Sequence, residues 1–308
     1  MADGLAYFSW LGGMAYLMYP PKDHLIVITG VTSGIGRAYF LEFARRGFRV
    51  AGCGRREDKL EEVKAEAASS LVSVHVVDVA IDSAVDAWAK ALFDAHGRAP
   101  SIVIANAGLM PKAAAVPAWE IPAATFAQVM DVNLHGVVNA ARSFLPSMIA
   151  AEDKAGAFIA TSSGSGRSTG ASKGAYAASK FAVEAYVKCL AHALPPHLVA
   201  VPLAPGTLRT EMNDGARLPR ADARWARAAV DFIFRDVVGQ PESSGASLSV
   251  PGFYDPAYVA SWIIADGCAL VAEPQKHVLT WEDILRGAFA LLFAGTAIGF
   301  TSFVAIYM

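Results

Sequence analysis

From residue 23 onward the chain alternates two hydrophobic periods. Short apolar runs, "HLIVITG", "FRVAGCG", "LVSVHVVDV", "SIVIANAG", "GAFIATSS" and "LVAVPLAPG", are separated by stretches whose apolar residues recur every three or four positions. The first pattern predicts buried strands and the second amphipathic helices. "GRAYFLEFARRG" gives the first helix, and further helices are expected over residues 57–68, 83–96, 123–150 and 174–193. Six apolar strands with helices between them imply an α/β fold, a doubly wound parallel sheet covered on both faces by right-handed crossovers. Ligands of such a sheet lie beyond the carboxyl ends of its strands, so the strand-end residues carry the interest.

The pattern changes outside this region. Residues 287 to 308, "GAFALLFAGTAIGFTSFVAIYM", run for 22 positions without a charge. As a helix they reach about 33 Å, enough for a hydrocarbon core of about 30 Å, so a transmembrane helix is expected, with a helix covered on all sides as the alternative. Residues 5 to 19 are apolar but short for a span, and Tyr7, Trp10, Tyr16 and Tyr19 suit the lipid headgroup level. Segment 211 to 255 reads as an amphipathic helix, "RLPRADARWARAAVDFIF", with arginines on its wet face, followed by a loop, "GQPESSGASLSVPG". The expected organisation is a membrane-interface segment over residues 1–22, a catalytic domain over 23–283 and a transmembrane helix over 284–308.

Composition narrows the function. With 308 residues and 54% hydrophobic content the chain can bury one large core. A formal net charge of -2 and the lack of any long basic run leave no electrostatic footprint for nucleic acid. Cys53, Cys189 and Cys268 are far apart and lack metal-ligand spacing, so neither a disulfide framework nor a metal site is expected. The N-terminus opens with Asp3 rather than a basic stretch and matches no secretory signal.

The chemistry begins at "TGVTSGIGR". Gly30, Gly34 and Gly36 stand where the first strand hands over to a helix. Such a turn brings backbone N–H groups and a helix N-terminus against a pyrophosphate, although the spacing alone also fits an ordinary tight turn. The second strand ends "GCGRRED": Gly54 replaces the acid that would hold ribose hydroxyls, and Arg55 and Arg56 follow. Guanidinium groups at that point suit the 2′-phosphate of NADP(H); a solvated pair opening a helix is the plainer reading. Further on, Tyr176 and Lys180 lie four apart on one helical face. A nearby ammonium favours phenolate and makes Tyr176 a usable proton donor and acceptor for a carbonyl/alcohol couple. Ser163, thirteen residues before Tyr176 at a strand end, offers a hydroxyl to a substrate oxygen, with Ser162 as its competitor.

Together these motifs make the chain resemble the short-chain dehydrogenase/reductase family, with its Rossmann-type fold. The resemblance rests on "TGVTSGIG", Asp78 in "VVDV", "ANAG" at 105–108, Asn133 in "DVNLHG", Ser163 in "TSS", "YAASK" at 176–180 and "PGTLRT" at 205–210. It implies a catalytic tetrad of Asn133, Ser163, Tyr176 and Lys180. In it Tyr176 donates the proton, Ser163 polarises the carbonyl, Lys180 binds the nicotinamide ribose and tunes Tyr176, and Asn133 holds a water. The coenzyme would lie along Thr29, Gly30, Ser33, Gly34, Ile35 and Gly36, then Arg55, Arg56, Asp78 and Val79, then Asn106, Ala107 and Gly108. It would end at Tyr176, Lys180, Pro205, Gly206, Thr207 and Thr210. Ser163 is preferred to Ser162 because its offset from Tyr176 and the following "GSG" match the family pattern.

Two departures matter. The family closes with a seventh strand and a glycine-rich tail, whereas here only "HVLTW" follows the helix-like "DPAYVASWIIADGCAL". The family builds its substrate lid where residues 211–255 lie. A partly apolar lid near a membrane suggests a lipophilic ketone such as a 3-keto lipid, steroid or retinoid. The expected protein is therefore a membrane-anchored NADPH-dependent carbonyl reductase with its catalytic domain in the cytosol. Its partners would be membrane lipid and a lipophilic small molecule, with other subunits of a membrane complex or a second copy as further possibilities. The competing expectation is a nucleotide-binding accessory subunit of a membrane assembly that does no chemistry.

Overall fold

The computed structural model describes residues 23–151, 155–206, 208–212 and 221–250. Its sheet follows from the apolar runs. β1 (Leu25–Thr29), β2 (Arg49–Gly54), β3 (Val72–Val76), β4 (Ile102–Ala105), β5 (Gly156–Thr161), β6 (Leu198–Ala204) and β7 (Leu248–Ser249) pair in the order β3-β2-β1-β4-β5-β6-β7. Every pairing is parallel. The order turns back at β1 and β4, which makes the cleft between their carboxyl ends the place for a ligand.

Alternation along β1 shows why the strands are continuous apolar runs. Ile26 and Ile28 enter one core layer, Leu25 and Val27 the other, and all four are buried. The first layer is closed by Phe40 and Phe43 of α1 (Gly34–Arg45), Leu60 and Val63 of α2 (Glu57–Ala67), and Trp225 and Ile233 of a helix further along the chain. The second is closed by Trp88 of α3 (Asp82–His96), then, after α4 (Ala123–Met130), by Phe144 of α5 (Gly136–Ala150) and Val183 of α6 (Gly174–Ala193).

The structure departs from the sequence expectation at three points. The helix expected over 123–150 is broken by a π-helical turn, Asp131–His135, which turns the polar Asn133 into the interior. Of the segment 211–255 expected to form a lid, the described part 221–250 packs largely into the core. Its helix, α7 (Ala223–Asp236), packs on the sheet: Asp222 caps it by accepting from the Arg224 and Trp225 amides, and Trp225 lies edge-on to Tyr39 of α1 at 5.1 Å. Arg46, which caps α1, reaches Asp231 of α7 at 2.7 Å, while Arg224 and Arg227 remain on the wet face. Finally, the stretch read as a loop supplies β7, Leu248 pairing with Leu203. A two-residue strand is too short for any period to register.

Among the described residues no helix is long and apolar enough to cross a membrane, and no cluster of ligating side chains could hold a metal ion. The expected interface segment, the transmembrane helix, "HVLTW" and Thr207 lie outside the described residues.

Candidate functional site

A cleft of about 1090 Å³ opens at the carboxyl ends of the strands. Its floor at one end is the glycine turn. Gly30 has φ +74°, and a Cβ there would come within 2.8 Å of Ala107 Cα. At Gly36 a Cβ would stand 2.2 Å from the Gly30 carbonyl oxygen, so α1 can start this close to β1 only because the position is bare. Ser33, Gly34 and Ile35 line the cleft, as do Asn106, Ala107 and Gly108. Thr29 and Gly36 do not; they shape the floor from behind. Thr29 Oγ1 accepts hydrogen bonds from the Asn106 and Ala107 amides at 2.9 and 3.0 Å, and Asn106 Nδ2 donates to the Thr29 carbonyl at 3.0 Å.

The end of β2 explains the missing acid. A Cβ on Gly54 would lie 2.6 Å from Thr32 Cγ2, so an acidic side chain here would require Thr32 to move. Arg55 and Arg56 take its place on the cleft wall. Arg56 Nη2 donates to Thr32 Oγ1 at 3.1 Å and stands 3.2 Å from Glu211 Oε2; Arg55 Nη1 is 3.7 Å from Asp78 Oδ2. Glu57 and Asp58 in the first turn of α2 offset the cations against the helix dipole. Asp78, its Oδ1 accepting from the Ala80 amide at 3.1 Å, and Val79 continue the wall. Pro205, Gly206 and Thr210 come from the loop after β6, and Thr210 Cγ2 is 3.3 Å from where a Gly34 Cβ would stand, so this loop meets the glycine turn across the cleft. A bare floor against a helix N-terminus, with two guanidinium groups at one end, fits a dinucleotide that carries a 2′-phosphate.

At the other end Tyr176 and Lys180 project from α6 into the cleft. Lys180 is 3% exposed, its Nζ donating to the Thr161 carbonyl at 2.7 Å and lying 5.8 Å from the Tyr176 ring centroid. Burial pushes its ammonium down to about 8. Burial also raises the Tyr176 phenol above its ordinary range, and a hydrogen bond from Ser163 works the other way. The cation expected to tune the phenol is held by the backbone of β5, and Ser163 works on the phenol in the same direction. The Ser165 amide donates to Ser163 Oγ at 3.1 Å, which leaves the Ser163 proton for Tyr176 or a substrate oxygen. Ser162 is buried and donates instead to Glu184 Oε1 at 2.6 Å, so the two adjacent serines face different partners.

Asn133 does not line the cleft. Its Oδ1 accepts from the Leu109 amide at 2.8 Å, and its Nδ2 donates to the Leu109 carbonyl at 3.0 Å and to Ser179 Oγ at 3.1 Å. The side chain clamps the β4 loop to α6, and both amide hydrogens are spent on it. Several wall residues carry no signal in the sequence: Thr32 and Glu211 at the arginine end, and Met110, Gln128, Lys173 and Met212 at the other. Only the folding together of separate loops assembles them.

A family model described as short chain dehydrogenase matches residues 24–221. The NADPH-dependent pterin aldehyde reductase of Arabidopsis thaliana is 36% identical over 231 residues, covering 73% of this chain and 92% of that one. Dehydrogenase/reductase SDR family member 7B of Bos taurus is 32% identical over 214 residues, covering 67% of this chain and 63% of that one. Among solved structures, a short chain dehydrogenase from Shigella flexneri complexed with NADP superimposes with a TM-score of 0.65 at 26% identity, covering 74% of this chain and 97% of that chain. From its fold, its cleft and these matches together, the chain belongs to the short chain dehydrogenase family.

Proposed function

We propose that this protein reduces the carbonyl group of a lipophilic aldehyde or ketone, or oxidises the corresponding alcohol, at the Ser163–Tyr176–Lys180 end of the cleft. As a member of its family it is an NADP(H)-dependent oxidoreductase. The observation that carries the reading is that Ser163, a half-buried Tyr176 and a buried Lys180 line one end of the cleft together, with Lys180 Nζ 5.8 Å from the Tyr176 ring centroid. Ser33, Gly34, Ile35, Arg55, Arg56, Asp78 and the 106–108 loop would hold the coenzyme, which supplies hydride when bound.

The protein's own groups do the rest. A carbonyl oxygen placed between Ser163 and Tyr176 takes a hydrogen bond from the Ser163 hydroxyl and the proton from the Tyr176 phenol. The phenolate left behind is stabilised by the Lys180 ammonium, which the Thr161 carbonyl fixes before substrate arrives as the Ser165 amide fixes Ser163. Asn133 keeps Leu109 and Ser179, hence the two sides of the substrate end, in register.

A lipophilic substrate is supported by Leu109, Met110, Pro111 and Met212 on the wall, and membrane anchoring by the uncharged run at 287–308. The test is NADPH oxidation by the full chain with aldehydes and ketones of graded chain length and a pterin-type aldehyde, with and without phospholipid vesicles. Rising kcat/KM with chain length is expected. A preference for short polar aldehydes would remove the lipophilic part, and no turnover with any carbonyl would remove the activity.

A further inference from the structure

We propose that Glu184 is a positioning residue for this reaction, its buried carboxylate setting Ser163 against Tyr176 by tying together the end of β5, the turn after it, α6 and β7. The inference rests on the site reading above and adds a residue that touches neither coenzyme nor substrate.

Glu184 is 5% exposed and follows Lys180 by one helical turn and Tyr176 by two, on the same face of α6. Its Oε1 accepts from Ser162 Oγ at 2.6 Å and from Arg167 Nε at 3.0 Å, and its Oε2 from Ser247 Oγ. Lys188 Nζ stands 3.9 Å from Oε2. Arg167 spends its other two nitrogens on Ser249 Oγ at 2.8 Å and the Leu248 carbonyl at 2.7 Å. One carboxylate and one guanidinium thus join four elements.

The members of this cluster sit beside the chemistry. Ser162 immediately precedes Ser163, Arg167 ends the turn Gly164–Gly166 on which the Ser163 hydroxyl is oriented, and Ser249 lines the cleft. The turn rests on α6 with no room to spare, since a Cβ on Gly166 would come within 2.9 Å of the Lys180 carbonyl. Stability alone is a weak reason for such a cluster, because buried ion pairs are often replaceable by apolar side chains without loss. β7 has only two residues of ladder and gains its position from Arg167 and Ser247.

The experiment compares Glu184→Leu, Glu184→Gln and Arg167→Met with the parent, all as full chains with NADPH and a carbonyl the parent reduces. Glu184→Leu should lower kcat by about 100-fold, the effect of misplacing a catalytic group by about 1 Å. NADPH affinity, read by coenzyme fluorescence, should stay within about threefold, because Glu184 touches none of the diphosphate turn. Glu184→Gln should restore most of kcat, since its amide oxygen can accept from Ser162 and Arg167 while its NH₂ donates to Ser247. Arg167→Met, at the exposed margin of the cluster, should lose about tenfold. Glu184→Leu or Arg167→Met with unchanged kcat overturns the proposal, as does NADPH affinity falling in step with kcat. If Glu184→Leu does not fold, Glu184→Gln and Arg167→Met decide: a Gln variant as impaired as Arg167→Met also overturns it.

A readout independent of turnover separates this inference from the reading beneath it. The Tyr176 phenol is titrated by ultraviolet difference absorbance against Tyr176→Phe. Ser163 acts on the phenol toward phenolate, so loosening it should raise the midpoint in Arg167→Met; an unmoved midpoint overturns the proposal even where no carbonyl is reduced.

Discussion

At the adenosine end of the cleft the charged groups stand in solvent, the side chains of Arg55 and Arg56 being 57% and 43% exposed, and their partners Asp78 and Glu211 sit at 3.7 and 3.2 Å. At the catalytic end Lys180 is 3% exposed and Glu184 5%, each with its hydrogen bonds made inside the protein. On the proposed function the first end recognises with backbone and loose charges, which adapt to a coenzyme that must come and go. The second holds few groups in one arrangement, and low dielectric magnifies both what they do and what they cost. Substitutions at the buried end should therefore have large effects on rate and on pH-dependent stability, and those at the exposed end small effects on affinity.

The largest effect is expected at Tyr176. Tyr176→Phe removes the proton donor and leaves the ring, its packing and the coenzyme wall in place. The rate should fall by about 10³-fold while NADPH affinity changes little. Turnover that survives within tenfold would mean that another group supplies the proton, and the buried end would lose its claim to the chemistry.

Lys180 tests whether that end costs stability. Its folded pKa of about 8 lies below the 10.5 of an ordinary lysine, so between those values the unfolded chain binds more protons than the folded one. Stability from this group therefore rises with pH through the window, and below pH 8 the fold carries the full penalty of a buried ammonium, at most about 3 kcal/mol. Lys180→Met should unfold at higher urea than the parent at pH 7, by about 1–2 kcal/mol once the lost bond to Thr161 is counted. The gap should close by pH 10, and turnover should be abolished throughout. A variant no more stable at pH 7, or a gap that widens with pH, would show that the ammonium is not paying a desolvation penalty.

How far the sequence anticipates this contrast depends on the range of the interactions. The strands, the turn at 30–36 and the Tyr176/Lys180 spacing are local patterns, and the cleft forms where those patterns place it. Asn133 is found by its motif, but its clamp on Leu109 depends on a π turn that no period predicts. Ser162 and Ser163 differ only in which partner the folded chain brings to each. Glu184 looks like any polar residue on a helix until Arg167 and Ser247, 17 residues before and 63 residues after it, meet there. The amphipathic face of α7 is legible, whereas its cover, Tyr39 and Phe43 of α1, comes from the other end of the chain. The uncharged run at 287–308 is legible as well and lies outside the described residues.

The smallest effect sharpens the comparison from the exposed end. Arg55 makes one long ion pair, to Asp78, and most of its side chain meets water. A guanidinium in that setting gives a 2′-phosphate a charge-assisted bond weakened by solvent, so Arg55→Ala should raise the Kd for NADPH by about tenfold, or about 1.4 kcal/mol. NADH has no phosphate at that point, and its Kd should stay within about twofold. Raising salt should shrink the NADPH difference, because the pair is screened over about 10 Å at 0.1 M. Equal weakening of both coenzymes would mean that Arg55 shapes the adenosine wall rather than reading the phosphate. A loss far above tenfold would mean that the guanidinium is buried once coenzyme binds, and the two ends of the cleft would then work by the same means.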